Sequence, residues 1–257
     1  MPPQRWPAEA LWEDMAPALP GFTVEVLPEI DSTNSELMRR ARAGRSEAVL
    51  LVAERQSAGR GRQGRTWHGQ PGAALTFSLG LTLAPGDWAG LSLAVGVTLS
   101  EALDQRIGLK WPNDLWLLDR KLAGILVETA GGGSGTAQRY TVVGVGINLA
   151  APDGAGLSTA PAGLREVWPD AGPGEVLLRV APALAKALQV FQAEGFAPFR
   201  PRYLHRDVLR DRHVVLSDGR TGTAAGVDER GGLLVHTAAG LVTVTSSEVS
   251  VRPDHSA

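Results

Sequence analysis

In Gly59-Arg60-Gly61-Arg62-Gln63-Gly64-Arg65-Thr66-Trp67, residue type and spacing point most directly to chemistry. Glycine alternates with arginine, and a tryptophan closes the run. Each glycine ordered in a loop costs roughly 0.5–1 kcal/mol relative to alanine, and neighbouring arginines repel one another. An arriving anion counters both effects, because a charge-assisted hydrogen bond to phosphate or carboxylate contributes about 1.5–3 kcal/mol. The run therefore reads as a cationic loop for an anion. Trp67 is placed either to stack on a base or ring or to enter the core behind the loop.

Gly59, Gly61 and Gly64 also spell the dinucleotide fingerprint G-x-G-x-x-G, but the context is wrong. That fingerprint sits directly after a strand, opens a helix and has an acidic residue about 20 positions on. Here Glu54 to Ala58 intervene, Gly69, Pro71 and Gly72 follow, and residues 79–84 carry no acid. No P-loop motif is present.

The other polar candidates stand out by scarcity. Of 25 Lys and Arg, the only lysines are Lys110, Lys121 and Lys186; the only asparagines are Asn34, Asn113 and Asn148. In such a chain a retained lysine hints at a point-charge role that arginine cannot fill. Lys110, Asn113 and Asp114 flank Pro112 ahead of a strand, where they can face phosphate or a magnesium ion or simply make a turn. Lys121 opens an apolar strand and can neutralise a phosphate or snorkel at an edge. Asn148 ends another strand, to bind ligand or cap the loop beyond. Ser32, Thr33 and Asn34 can offer hydroxyl and amide groups to a polar ligand; Thr33 with Glu36 also matches a capping box.

These residues need elements to hold them. Residues 22–27 and 75–83 alternate like strands, and residues 48–53 form a short apolar run. Trp88 to Ile107 carries an apolar helical stripe. Leu115–Leu118 and Lys121–Thr129 form a hairpin about Asp119-Arg120, and Tyr140–Leu149 is a further strand. Residues 150–174 form a long loop, and Val176–Glu194 an amphipathic helix with a kink or late start at Pro182. Short strands separated by Asp218-Gly219, Arg230-Gly231-Gly232 and Ala239-Gly240 indicate a small β-barrel. The expected organisation is an N-terminal segment (1–20), an α/β catalytic domain (21–207) and a small β-domain (208–253).

Composition closes off other classes. The net charge of −2 makes the arginine loop a local feature and argues against DNA as a partner. The absence of cysteine excludes disulfides, zinc-thiolate sites and a thiol nucleophile. The five histidines show no metal-ligand spacing. No apolar run reaches the length of a membrane span and no signal-peptide core opens the chain, so a cytoplasmic protein with no membrane partner is expected.

Taken in order, these pieces resemble the biotin protein ligases. The matching segments are Asp31-Ser32-Thr33-Asn34, Gln56 with the 59–67 run, Lys110 to Asp114, Lys121 to Glu128, and Gly144 to Asn148; the likeness extends over residues 22–252. It implies a class II synthetase-like α/β (α+β) catalytic domain with a mixed sheet, followed by an SH3-like barrel. It also implies a two-step reaction. The biotin carboxylate attacks the α-phosphate of Mg-ATP, giving biotinyl-5′-AMP and pyrophosphate; a carrier-protein lysine then attacks the acyl carbon and releases AMP.

By the same resemblance, Ser32, Thr33, Asn34, Gln56, Arg60, Gly61, Arg62, Lys121 and Gly124 would bind biotin. Arg60, Arg62, Arg65, Trp67, Asn113, Lys121 and Asn148 would hold the nucleotide. Lys121, Arg62 and Arg60 would act in catalysis and Asp114 would meet Mg2+, with Lys110, Glu248 and Arg252 in support. The implied partner is the biotin carboxyl carrier protein of acetyl-CoA carboxylase or a related carboxylase; a homodimer stays open. About 20 residues precede the catalytic domain, too few for the winged helix-turn-helix of some members, so a ligase without operator binding is expected. Rivals are a lipoate or octanoyl ligase of the same fold, whose families lack the 59–67 run, and a non-enzymatic nucleic-acid module.

Overall fold

The computed structural model describes residues 5–131, 138–154, 159–245 and 251–253, apart from the side chain of Arg252. Seven strands form the main sheet: β1 (Thr23–Ile30), β2 (Val49–Gln56), β3 (Ala74–Leu83), β4 (Gly108–Lys110), β5 (Asp114–Leu117), β6 (Arg120–Ala130) and β7 (Arg139–Asn148). Their order is β1-β2-β3-β7-β6-β5-β4, and only β1 and β2 run parallel. The expected mixed sheet is present.

Successive strand residues face opposite sides, and the two faces have different cores. Leu50, Val52, Phe77, Leu79, Val143 and Val145 belong to the larger core. Over it pack α1 (Ala8–Met15), α3 (Leu91–Leu103) and α4 (Pro173–Glu194). Val49, Leu51, Tyr140 and Val142 turn to the other side, where Leu37 and Met38 of α2 (Thr33–Arg42) cover them. Strand β3 is therefore buried on both faces, which its sequence alternation did not indicate.

On the α2 face, side chains shrink along β7. Tyr140 and Val142 fill the core, Gly144 and Gly146 present nothing, and Asn148 closes the row. The register extends the hollow sideways: Gly144 pairs with Ser78 and Leu126, and Gly146 with Thr76 and Gly124. A strip of small residues at the centre of a sheet leaves a basin.

Several boundaries differ from expectation. Helix α2 is capped by Ser32, whose Oγ accepts from Ser35 N at 3.3 Å, and Glu36 turns to Arg39 and Arg40 instead of completing a box with Thr33. The β5–β6 turn sits one residue earlier than expected, at Leu118 and Asp119, both with positive φ (49° and 59°). Helix α3 is shorter than its stripe, because Asp104 is already extended. Helix α4 starts at Pro173, which suits a first turn, and continues through Pro182. Its length and apolarity alone would let it cross a membrane, but here one face lies in the core. Helix α1, α5 (Arg200–Arg206) and strand β4 were not legible in the sequence.

The small domain is a five-stranded antiparallel sheet of β8 (His213–Leu216), β9 (Thr221–Val227), β10 (Leu233–Thr237), β11 (Gly240–Val244) and β12 (Val251–Pro253), ordered β11-β10-β9-β8-β12. Trp111 joins it to the main sheet: fully buried, its Nε1–H donates to Gly231 O at 3.0 Å.

The chain passes between the two units at Asp207, where Val208 N–H donates to Leu109 O at 3.0 Å. Leu209 N–H donates to Asp207 Oδ1, but Oδ2 and the nearby buried Tyr203 hydroxyl have no partner among the described residues. Burial pushes the Asp207 carboxyl up from 3.8 to about 6. The native chain thus holds this proton more tightly than the unfolded chain. Stability contributed by the protonated acid falls as pH rises from about 4 to about 6 and is level above. Asp207→Asn is expected to flatten that slope and stabilise the protein at pH 7 by up to about 3 kcal/mol; urea unfolding at pH 5 and pH 7 checks both.

Candidate active site

The basin opens into a cavity of about 960 Å3. Its walls include Ser32, Thr33, Asn34 and Gln56 at one end, and Lys110, Asn113, Asp114 and Lys121 at the other; the 59–67 loop lies across it. The structure thus brings together the predicted residues it describes. Glu248 and the side chain of Arg252 lie outside the described residues, although Arg252 pairs through its backbone with Val215 in the small domain.

The first end is a hydrogen-bonded cluster with a fixed polarity. Asn34 Nδ2 donates to Leu126 O (3.2 Å) and Glu128 Oε2 (3.0 Å), so its Oδ1 faces Ser78 Oγ at 2.6 Å. That amide oxygen only accepts; Ser78 therefore gives its one proton to Asn34. At the 2.7 Å contact between Ser78 Oγ and Thr33 Oγ1, Thr33 is then the donor, in preference to its longer 3.2 Å contact with Gln56 Oε1; either way its one proton stays inside the cluster, and its lone pairs are left to accept from the cavity. Gln56 Oε1 accepts Thr33 N–H at 2.8 Å, so its Nε2 is turned away as a donor. Ser32 Oγ accepts Ser35 N–H and keeps its own proton to give. Asn34 is buried and engaged through both ends of its amide, and it supports this cluster from behind.

The loop is a closed hairpin. Gly61 N–H donates to Arg65 O (2.7 Å) and Trp67 N–H to Gly59 O (2.9 Å), with Gln63 and Gly64 at positive φ (54° and 71°) at the tip. Extended chain, not a helix, follows Gly64, in keeping with rejection of the dinucleotide motif. Trp67 lies back over the basin, where a Cβ on Gly146 would collide with its indole and one on Gly124 would come within 3.4 Å. Its buried Nε1–H has no acceptor among the described residues. Such an orphan in a cavity wall is a place for a ligand or water.

Four cations border the far end. Lys121 Nζ is 2.8 Å from Asp114 Oδ1 and 6.0 Å from the Trp67 ring. Arg62 Nη1 donates to Asn113 Oδ1 at 3.3 Å, and Asn113 Nδ2 donates to Ile125 O at 2.8 Å. Burial pulls the Arg62 guanidinium below its ordinary value; Asp114 opposes this and Arg65 adds to it. A partly desolvated cation is primed to bind an anion. Arg65 is exposed at the mouth, and Lys110 Nζ lies 5.7 Å from the Trp116 ring. Asn148 also lines the cavity, and its amide donates to Lys121 O (3.3 Å) and Ala162 O (3.2 Å). It thereby ties down a segment of the 150–174 loop, whose backbone pairs with Lys121 on both sides at 2.8 Å. Ser78, Gly144, Gly146 and Glu128 are parts of the site with no role assigned from sequence. A strand reading Val-Gly-Val-Gly beneath a polar helix start was the available signal.

A cavity that holds a neutral polar cluster at one end and gathered cations at the other suits an elongated ligand with a polar ring and an anionic tail. Comparison with known proteins agrees. Residues 26–148 match the model of the biotin/lipoate A/B protein ligase family, and residues 213–252 that of the biotin protein ligase C-terminal domain. The chain is 35% identical over 245 residues to the biotin–[acetyl-CoA-carboxylase] ligase of Paracoccus denitrificans, covering 87% of this chain and 98% of that one. The chain belongs to the biotin protein ligase family. It is also 38% identical over 240 residues to the bifunctional ligase/repressor BirA of Salmonella typhimurium, covering 89% of this chain and 74% of that protein. Among solved structures it is similar to the Aquifex aeolicus biotin protein ligase in complex with biotin and ATP (TM-score 0.75, 31% identity, 90% and 99% of the two chains).

The glycine floor gives a direct test. A Cβ on Gly144 would strike Asn34 Oδ1, and the amide cannot yield without leaving Glu128, Leu126 and Ser78. Gly144→Ala is expected to cost about 1–3 kcal/mol by overpacking, read as a lower urea midpoint with an unchanged slope.

Proposed function

We infer that this chain is an ATP-dependent ligase that joins biotin to a lysine of a biotin carboxyl carrier protein through biotinyl-5′-AMP. The observation that carries the reading is the polarity of the first cluster, which opposes two donors, Ser32 Oγ and Gln56 Nε2, to one acceptor, Thr33 Oγ1. Biotin's ureido ring offers the complement: a carbonyl that accepts and N–H groups that donate. With the ring at Ser32, Thr33 and Gln56, the valeryl chain runs over the glycine floor, and its carboxylate reaches Arg60, Arg62 and Lys121.

The chemistry joins two anions, so repulsion between carboxylate and triphosphate is the first obstacle. Lys121 meets the developing charge between the biotin oxygen and the α-phosphorus, and Arg62 and Arg65 face the phosphates. In the first step the carboxylate oxygen forms a bond to the α-phosphorus as the bond to the pyrophosphate oxygen breaks. In the second, the carrier's neutral lysine amine attacks the acyl carbon, AMP departs, and the amine loses a proton. Trp67 and the hairpin cover the acyl phosphate between the steps and keep water from it.

Magnesium would enter with the nucleotide. Asp114 fits it as the carboxylate beside Lys121, since Mg2+ bound by phosphate oxygens and water needs only one or two protein carboxylates. Asn113 acts chiefly by aiming Arg62. In this role the ion would neutralise phosphate charge.

Mass spectrometry of a carrier domain incubated with Mg-ATP and either biotin or lipoate tests the reading: a biotinyl adduct on one lysine is expected, and a lipoyl adduct alone would overturn it. Lys121→Ala is expected to lower biotin-dependent ATP–pyrophosphate exchange about 100–1,000-fold with the circular dichroism spectrum unchanged. Residues 59–67 are expected to gain hydrogen-exchange protection with biotin and ATP together; equal protection without ligand would count against ligand-dependent closure.

A further inference from the structure

Glu128 stands on β6, on the cavity face of the sheet, opposite Val142. Its carboxylate touches two parts of the site that sequence separates widely. Oε2 accepts from Asn34 Nδ2 at 3.0 Å, and the two oxygens take Arg60 Nη1 and Nη2 at 3.3 and 3.0 Å. The hydrogen bonds continue from Asn34 to Ser78 and from Ser78 to Thr33 at 2.6 and 2.7 Å. One unbroken chain thus links the guanidinium of the hairpin to the Thr33 hydroxyl.

We propose that Glu128 is a positioning residue that couples the hairpin to the polar cluster beside α2, holding Arg60 in place and helping to fix Thr33 as an acceptor. The coupling follows from what an ionised carboxylate is able to do. It only accepts, so together with the Leu126 carbonyl it makes Asn34 present its NH2 to β6 and its oxygen to Ser78. Ser78 then donates to Asn34, Thr33 gives its one proton to Ser78 at 2.7 Å in preference to Gln56 Oε1 at 3.2 Å, and the Thr33 lone pairs face the cavity. The charge also makes the Arg60 contact a two-bond, charge-assisted one, at a side chain that is otherwise 47% exposed. The same charge thus supports the hydrogen-bond polarity of the cluster and the position of the loop.

Two variants separate this role from mere packing. Glu128→Gln keeps the shape, but its amide is able to donate, which leaves the Leu126 carbonyl alone to hold the Asn34 NH2 and frees the Thr33 proton to move from Ser78 to Gln56 Oε1 or the cavity when Asn34 reverses. Glu128→Ala removes both contacts. In ligand-free protein, tryptic cleavage after Arg62 and Arg65 is expected to rise about tenfold in each variant, with the Glu128→Gln urea midpoint near that of the parent. The same increase is expected in Arg60→Ala, and no further increase in Arg60→Ala/Glu128→Ala, because one contact is lost in all three.

The polarity half of the proposal rests on the biotin reading. It predicts that calorimetric biotin affinity falls about tenfold in Glu128→Gln. Parent-like cleavage in both Glu128 variants, or effects of the two alanines that multiply, would overturn the loop role; unchanged biotin affinity in Glu128→Gln would overturn the polarity role. Cleavage is read without ligand. A parent protein that fails to exchange pyrophosphate would therefore sink the ligase reading and leave the loop result standing.

Discussion

The site depends on a patch of sheet with almost no side chains. On the face covered by α2, the centre of the sheet carries Gly144, Gly146 and Gly124 among Ser78 and Thr76. Had β7 kept large residues beyond Val142, that face would have closed as the other one did, over leucine, valine and phenylalanine. Instead the strand ladders stay intact while the side-chain layer disappears, and the space goes to Asn34, Trp67 and the cavity. Backbone rigidity and an open hollow are thereby obtained from the same residues.

Around that hollow, charge is organised in opposite ways at the two ends. In the cluster near α2 the groups that face the cavity are neutral, and proton direction decides what each can bind: each hydroxyl has one proton and each acceptor settles where it goes. The far end is governed by repulsion among Arg62, Arg65 and Lys121, relieved in part by Asp114. Burial of Arg62 makes that repulsion more costly, which is the condition under which an anion binds well. The hairpin belongs to both ends, because Arg60 reaches back to Glu128 while Arg62 reaches forward to Asn113.

Much of this was legible in the sequence because local chemistry and tertiary demand coincide there. The Gly–Arg run, the Lys110–Asp114 turn and the Lys121 strand declare themselves through rare residue types, and the small domain through its spaced turns. What escaped depends on partners distant in sequence. Nothing near Asn34 shows that its amide would be saturated by Leu126, Ser78 and Glu128. Nothing near Asn148 shows that Lys121 O and Ala162 O would claim it. Glu128 lies in a segment recognised from the resemblance, yet its purpose appears only when β6 is laid beside α2 and the hairpin. The cap of α2 was misplaced by one residue for a related reason: Thr33 is drawn to Ser78 across the sheet, which leaves capping to Ser32.

The indole of Trp111 carries a consequence for how this architecture can be rebuilt. It lies between Lys110 and the Pro112-Asn113-Asp114 turn, and its N–H ends on Gly231, a backbone carbonyl in a tight turn of the small domain. A carbonyl has no side chain to exchange, so the match is one of position alone. The barrel therefore acts as a template for the turn that presents Asn113 and Asp114. Chimaeras that join this catalytic sheet to a relative's barrel should succeed or fail according to where the turn equivalent to Arg230-Gly231-Gly232 falls in space, whatever the overall identity of the two barrels.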